Sequence, residues 1–481
     1  MPKVLNEIKA SLQRRGIGLE KAKRDLNKGN IKISIPPEAR EILDRLHSAG
    51  FEAYVVGGCV RDSILGRVPG DFDITTSAKP HEVKALFDRT IDTGIEHGTV
   101  TVMIGKEGFE VTTYRIDGEY EDSRHPKEVI FTASLIEDLK RRDFTINAMA
   151  YSDEDGLIDE FDGLSDIENK IIRCVGEPKE RFTEDALRMM RAVRFAAQLG
   201  YDIEEKTREA IKELSPTLSK ISAERVQVEL VKLITSDNPG RIRDLYETGI
   251  TAVIMPEFDR CMDTPQDNIH HAYTVGEHII KTVEAIRADK YLRLTMLFHD
   301  IEKPSCRTTD DEGVDHFYGH AEKGAVTAVA ILKRLKFDKD TMNMVEKLIK
   351  YHDYRYPAEK KNVRKMASKV GRDIFPLLLE VRDADTAAQS DYLRDAKNEW
   401  TDEVRRLFAE ILKDDECLAI SDLAVNGKDL MNAGIKPGKE MGLILKAMLA
   451  DVLEDPSHNN AEYLMKKENL DKILKSISEN T

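Results

Sequence analysis

The chain is poor in cysteine, in long apolar runs and in net positive charge, and each shortage excludes a class of protein. Its five cysteines (Cys59, Cys174, Cys261, Cys306 and Cys417) are scattered and form no CxxC pair. That spacing argues against a structural zinc site and for a reducing, cytoplasmic setting. No stretch approaches the roughly 18 uninterrupted apolar residues of a membrane helix, so no membrane span is expected. The opening MPKVLNEIKASLQRRG is polar and reads as no signal peptide. Neither an internal repeat nor a low-complexity segment is found. Lysine and arginine number 73 against 88 aspartates and glutamates, a net charge of −15. That balance is unfavourable for a nucleic-acid-binding protein taken whole, yet phosphate contacts need only a basic stripe on one face.

What is present is an ordinary globular composition. The 481 residues are 41% hydrophobic and 33% charged, enough for three or four packed domains. Residues 1–35 read as a basic helical extension that stops near Ile35-Pro36-Pro37. Residues 36–160 mix strand-like runs (53–56, 73–75, 99–104 and 109–113) with helical ones. From about 160 onward nearly every segment has helical periodicity, punctuated by Pro216, Pro239, Pro256, Pro265 and Pro304. The predicted class is α+β: an α/β head followed by an all-helical body.

Chemistry concentrates first at AYVVGGCVRD, residues 53–62. An apolar strand runs into Gly57-Gly58, and a helix bearing Arg61 and Asp62 follows. Glycines at such a turn let backbone N–H groups approach phosphate oxygens. Gly70-Asp71-Phe72-Asp73-Ile74 then sets two carboxylates at i and i+2, on one face if the segment is a strand. Adjacent carboxylates repel unless cations sit between them, so the pair suits two Mg²⁺ ions. Glu110, on the polar side of GFEVTTYR, is the candidate third carboxylate, although an ordinary exposed glutamate would fit the same pattern.

Downstream, DLKRRDFTINAMA supplies Arg141 and Arg142 to neutralise triphosphate charge, with Asp143 and Asn147 four apart on a predicted helix face. EDALRMMRAVR places Asp185, Arg188 and Arg191 along one predicted stripe. A carboxylate can accept the exocyclic amine of cytosine or adenine while a guanidinium donates to ring acceptors. An ordinary helix salt bridge has the same spacing.

Taken in order, GGCVRD, GDFDI, RIDGEYEDSRHP, RRDFTINAMA and EDALRMMRAVRFA resemble the class II tRNA nucleotidyltransferase and bacterial poly(A) polymerase family. The resemblance covers about residues 50–200. It implies a polymerase-beta-like head of five-strand type, with Asp71 and Asp73 holding the catalytic Mg²⁺ ions. It further implies Gly58, Arg61, Arg142, Arg188 and Arg191 around the nucleotide, Asp185 and Arg188 reading the base, and a flexible loop at 120–124 that switches the site from CTP to ATP. GIEHGTVTV at 94–102 is closer to the CCA-adding branch than to the poly(A) branch, and residues 420–465 resemble a tRNA-holding tail. The implied activity is template-independent addition of CCA to the 3′ end of tRNA from CTP and ATP, releasing pyrophosphate, with no DNA partner. Poly(A) addition or A-only addition is the nearest alternative. A protein-modifying regulatory nucleotidyltransferase, suggested by HHAYTVGEH, is a more distant one.

A second constellation spans 270–390: His278, His299-Asp300, His320, His352-Asp353 and Asp383/Asp385. Imidazoles and carboxylates from successive helices are good ligands for a divalent cation. The stretch resembles the HD phosphohydrolase superfamily, which implies His278, His299, Asp300 and Asp385 as ligands, with Glu302 where the usual motif has glycine. Expected boundaries are then an extension at 1–35, a head at 36–160, a helical base-recognition neck at 161–265, an HD-type body at 266–395 and a tRNA-binding tail at 396–481.

Overall fold

The computed structural model describes residues 31–118 and 129–479. The basic extension before residue 31 and the 120–124 loop lie outside the described residues. The chain divides into two compact units. One runs to Leu233 and takes back Asp244–Ile254; the other holds Ile234–Arg243 and everything from Met255 onward.

The first unit is built on a sheet. Its strands are β1 (Ala53–Val56), β2 (Ile74–Thr76), β3 (Thr90–Gly94), β4 (Thr99–Ile104), β5 (Glu107–Thr113), β6 (Arg115–Asp117), β7 (Val129–Phe131), β8 (Ala150–Ser152) and β9 (Gly156–Ile158). Seven of them form one sheet in the order β3-β4-β5-β2-β1-β8-β9, and β6 pairs with β7 apart from it. The five-strand expectation is therefore too small. Strands of three residues, such as β8 and β9, carry too few side chains to display a period of two. At the centre β1 is buried along its whole length, and β2 pairs with β5 in parallel, Ile74 facing Val111. Helix α1 (Pro37–Ser48) starts where the Ile35-Pro36-Pro37 signal placed a boundary, since proline is tolerated in a first helical turn. It buries Ala39, Ile42, Leu43 and Leu46.

The rest of the first unit is mainly helical. Helices α2 (Gly58–Ile64), α3 (Pro80–Leu86) and α4 (Leu135–Lys140) flank the strands, followed by α5 (Gly163–Asn169), α6 (Pro178–Glu184), α7 (Leu187–Leu199), α8 (Glu205–Leu214) and α9 (Ala223–Ile234). The core of α7 includes Met189, Met190, Val193 and Phe195, and beside it the buried Arg194 pairs with Glu229 of α9.

Helices dominate the second unit. α10 (Val275–Ala285), α11 (Lys290–Phe298), α12 (His320–Arg334), α13 (Lys339–Tyr351), α14 (Lys360–Val370), α15 (Phe375–Ala387) and α16 (Arg394–Lys413) form its body. A smaller core around Leu430, Ile444, Met448, Val452 and Leu464 organises the tail. All five cysteines are buried and free. Burial is the main force that pushes the Cys59 thiol up to about 12 and that of Cys417 up to about 11. No helix of the described residues is long and apolar enough to cross a membrane.

Candidate functional site

Two separate centres emerge, one in each unit. In the first, β1 ends at Val56 and the chain turns through Gly57 at φ 83° into α2. Only glycine adopts that backbone without strain. A Cβ there would also lie 3.1 Å from Arg142 Nη1, so the turn is bare because a guanidinium passes over it. Gly58 opens α2, and Arg61 and Asp62 follow on it. Buried Arg61 donates to Asn147 Oδ1 at 2.5 Å and to both Asp62 oxygens at 2.9 Å.

Asp71 and Asp73 precede β2 rather than lying on it, which corrects the expectation that strand pleating aligns them. Asp73 is nonetheless fixed, because its carbonyl accepts the Val56 N–H at 3.0 Å. The β2–β5 register places Glu110 next to Asp73, one step before the Ile74–Val111 pair. The Asp73 carboxyl is raised to about 6 by burial first, then by Asp71 and Glu110, with Arg142 opposing. Asp71, Asp73 and Glu110 thus form one electrostatic cluster that is short of positive charge. Such a donor set fits divalent cations.

Arg141 and Arg142 are organised by a residue the sequence reading missed. Asp138 of α4 is fully buried, lies 2.7 Å from Arg141 and 3.5 Å from Arg142, and accepts the Thr75 hydroxyl at 3.0 Å. Its i+3 and i+4 spacing to the arginines was the available signal. Asp143 and Asn147 do not share an α-helix face. A β-bridge from Phe144 to Cys174 interrupts the segment, and a 3₁₀ turn (Thr145–Asn147) follows. The two still meet, Asn147 Nδ2 donating to Asp143 at 3.2 Å. Burial opposes ionisation of Asp143, but Arg191 and Arg188 outweigh it and hold the carboxyl down at about 2. Arg191 reaches Asp143 at 2.5 Å.

The single stripe through Asp185, Arg188 and Arg191 is also corrected. Asp185 lies between α6 and α7 in extended conformation (φ −141°), and its carboxylate caps the Leu187 N–H at 3.0 Å. It pairs with Arg225 of α9 at 2.7 Å. Arg188 instead pairs with Glu184 at 2.6 Å and donates to the Arg141 carbonyl at 3.0 Å. Arg225 is 40 residues from Asp185, and nothing local in the sequence announces it.

The second centre brings together all four predicted ligands. His278 Nε2 lies 2.9 Å from Asp385 Oδ1 and 3.4 Å from Asp300 Oδ2, while His299 Nε2 lies 3.2 Å from Asp300 and 3.4 Å from His278 Nε2. His320 and His352 add a second triad on the other oxygen, with Nε2 atoms 3.4 and 3.8 Å from Asp300 Oδ1. Helix ends do the positioning: His299 follows α11, His320 opens α12 and His352 follows α13. Each of these three Nδ1 atoms lies 2.7–2.8 Å from a backbone carbonyl, which turns Nε2 inward. Asp383 points elsewhere and pairs with Arg405 at 2.6 Å.

Both Asp300 oxygens are buried and form no regular hydrogen bond, and the four imidazole Nε2 atoms surround them in an arrangement that fits a divalent cation. Burial disfavours charge on His299, yet Asp300 and Asp385 outweigh it and push the imidazole up to about 10, so a proton supplies charge that a cation could supply. Lys303, three residues after Asp300 and unnoticed in the sequence, places Nζ 2.7 Å from Asp300.

A mixed sheet presenting three carboxylates beside an arginine-lined glycine turn is the layout of a nucleotidyltransferase head. A family model of the poly A polymerase head domain matches residues 53–173. A model of the RNA- and SrmB-binding site of polymerase A matches 200–262, and one of tRNA nucleotidyltransferase domain 2 matches 318–467. The chain is 38% identical over 432 residues to the CCA-adding enzyme of Streptococcus suis (strain 05ZYH33), covering 89% of this chain and 95% of that one. Against the CCA-adding enzyme of Limosilactobacillus reuteri (strain DSM 20016), identity is 36% over 442 residues with the same coverage. The crystal structure of the Bacillus stearothermophilus CCA-adding enzyme in complex with CTP aligns at a TM-score of 0.68 and 30% identity, over 93% of this chain and 100% of that one. The chain belongs to the CCA-adding enzymes, a family of tRNA nucleotidyltransferases. Membership implies a divalent metal.

Proposed function

We propose that this protein completes the CCA end of tRNA from CTP and ATP. The observation that carries the reading is the convergence of Asp71, Asp73 and Glu110 beside Arg142 and the Gly57 turn. Two Mg²⁺ ions held by Asp71 and Asp73 would activate the RNA 3′-hydroxyl and neutralise triphosphate charge. The hydroxyl gives up its proton to solvent as its oxygen forms a bond to the α-phosphorus, the bond to the bridging oxygen breaks, and pyrophosphate leaves. The chain's own part is positioning and charge. Arg142 faces the triphosphate, and Gly57 and Gly58 allow close backbone approach. Arg61, held by Asp62 and Asn147, and Arg191, held by Asp143, line the nucleotide. Asp185 and Arg188 select C and A, with Arg225 and Glu184 fixing their orientation. The unpaired cysteines fit a reducing, cytoplasmic setting.

The test uses tRNA transcripts ending at the discriminator, at C or at CC, each given one labelled nucleotide. Growth to CCA and no further, lost in Asp71→Ala/Asp73→Ala, supports the reading. Long A tails or extension of the CC transcript alone would overturn it in favour of poly(A) or A-only addition.

The Asp300 cluster supports a second activity, phosphoester hydrolysis at the HD-type centre. His278, His299, Asp300 and Asp385 would hold one divalent ion, and Asp300 with His320 and His352 a second. Such ions supply an activated water and charge neutralisation. Lys303 would stabilise phosphate charge.

A further inference from the structure

Helix α7 carries Arg188, Arg191 and Phe195 at intervals of three and four, so the phenylalanine lies on the arginine stripe. Its ring is the meeting point of three guanidiniums. Arg61 reaches it from α2 at 5.1 Å from the ring centroid, Arg191 from about one turn earlier at 5.5 Å, and the neighbouring Arg194 at 3.9 Å. The ring is buried and locked, with Phe144 meeting it in a T-shaped contact at 5.7 Å and 79°. Each guanidinium has a carboxylate of its own, and these lie on different elements: Asp62 on α2, Asp143 before the 3₁₀ turn and Glu229 on α9. The ion pairs therefore draw the three cations apart, and the ring of Phe195 is what all three share. Arg61 and Arg191 are also joined through Asn147, which accepts from Arg61 at 2.5 Å and donates to Asp143 at 3.2 Å. The Arg194 side chain is only 8% exposed beside Glu229, whereas that of Arg191 is 35% exposed. One cation is thus sealed inside and another is open to a ligand.

Like charges gathered in a partly dry site repel, and the negative face of an aromatic ring offsets that repulsion most where water is excluded. We propose that Phe195 is a positioning residue for nucleotide binding, its ring holding the Arg61 and Arg191 guanidiniums at a fixed spacing before the anionic nucleotide arrives. This rests on the nucleotidyltransferase reading above and adds a residue to it. An arginine held in advance loses little side-chain freedom on binding, so the ring acts on affinity and not on the chemical step. On the same reading Asp185 and Arg188 select the base, so CTP and ATP are affected alike.

The test replaces Phe195 in the full-length protein with mono-, di- and trifluorophenylalanine, which weakens the negative face in steps while nearly keeping the ring's shape. Kd for CTP and for ATP is measured by equilibrium dialysis with Mg²⁺, beside KM and kcat on tRNA transcripts, with folding checked by urea melts. Kd and KM are expected to rise with each added fluorine, to about tenfold in the trifluoro protein. Over the same series kcat should stay within about twofold of the parent, and the ratio of CTP to ATP affinity should not move. If Phe195→Leu weakens binding while the fluorinated series does not, the ring acts through packing alone and the proposal is overturned. Flat Kd values throughout, in a parent that adds CCA, overturn it too and leave the proposed function standing. A rise confined to one nucleotide would place the ring at the base and has the same result. A parent that neither binds CTP nor extends tRNA sinks both readings.

Discussion

Asp73 illustrates how a residue proposed to bind metal opposes stability. Its folded carboxyl sits at about 6 against an ordinary 3.8, so between those values the folded chain holds more protons than the unfolded one. Stability therefore falls as pH rises through that window, and the cost is complete above about 6. It amounts to at most about 3 kcal/mol, from 1.36 kcal/mol per unit of pKa. Asp73→Asn should make the metal-free protein more resistant to urea at pH 7.5, and the gain should vanish near pH 3.5. Mg²⁺ should stabilise the parent and not the variant, while nucleotide incorporation falls by about 10³ or more in the variant. A variant less stable than the parent at pH 7.5 would show that the carboxylate is balanced by something other than metal. At this scale the sequence was informative where partners lie close together along the chain. Asp71 and Asp73 are two apart, and His299 and Asp300 are adjacent. It was silent where a charge is held from afar, as Asp185 is by Arg225, because a helical arginine looks the same whether it meets solvent or a carboxylate.

Among elements, the β1-to-α2 turn is the most constrained. Gly57 combines a positive φ with an arginine passing within contact distance, so Gly57→Ala meets backbone strain and displaces Arg142 together. The expected loss is about 1–3 kcal/mol of stability in urea melts. Incorporation should fall more than stability does, seen as a lower kcat with tRNA binding retained in filter assays. Equal loss of tRNA binding would mean that the turn supports the fold alone. The turn was readable because an apolar strand, two glycines and a helix announce themselves locally. The 141–150 segment was not, since RRDFTINAMA has helix-compatible spacing while its backbone follows a bridge to Cys174 and a 3₁₀ turn. Tertiary contacts overrode propensity there. In the second unit the histidines were visible as residues, but the sharing of Asp300 by two triads depends on where four helix ends converge, which no periodicity encodes.

For the whole molecule, the two centres draw their side chains from different compact units. His299→Ala should therefore abolish phosphate release and lower bound transition metal, yet keep CCA addition within about twofold of the parent, allowing for the modest effect expected from a substitution remote in the contact network. Asp71→Ala should do the reverse. Loss of both activities in either variant would reveal coupling between the units. The α/β head and helical body were legible from composition and periodicity. The grouping of the neck helices with the sheet was not, because it depends on contacts such as Arg188 with the Arg141 carbonyl and Arg191 with Asp143.

The burial of every thiol makes the native protein resistant to alkylating reagents, since a thiolate must both form and be reached before it reacts. Modification of Cys59 and of Cys417 then becomes a clock for opening of the unit that holds each. Iodoacetamide labelling rates, resolved by peptide mass, would convert directly into two opening free energies. Mg²⁺ with CTP should slow the Cys59 clock, packed beside the Gly57 turn, and leave that of Cys417 running at its original rate.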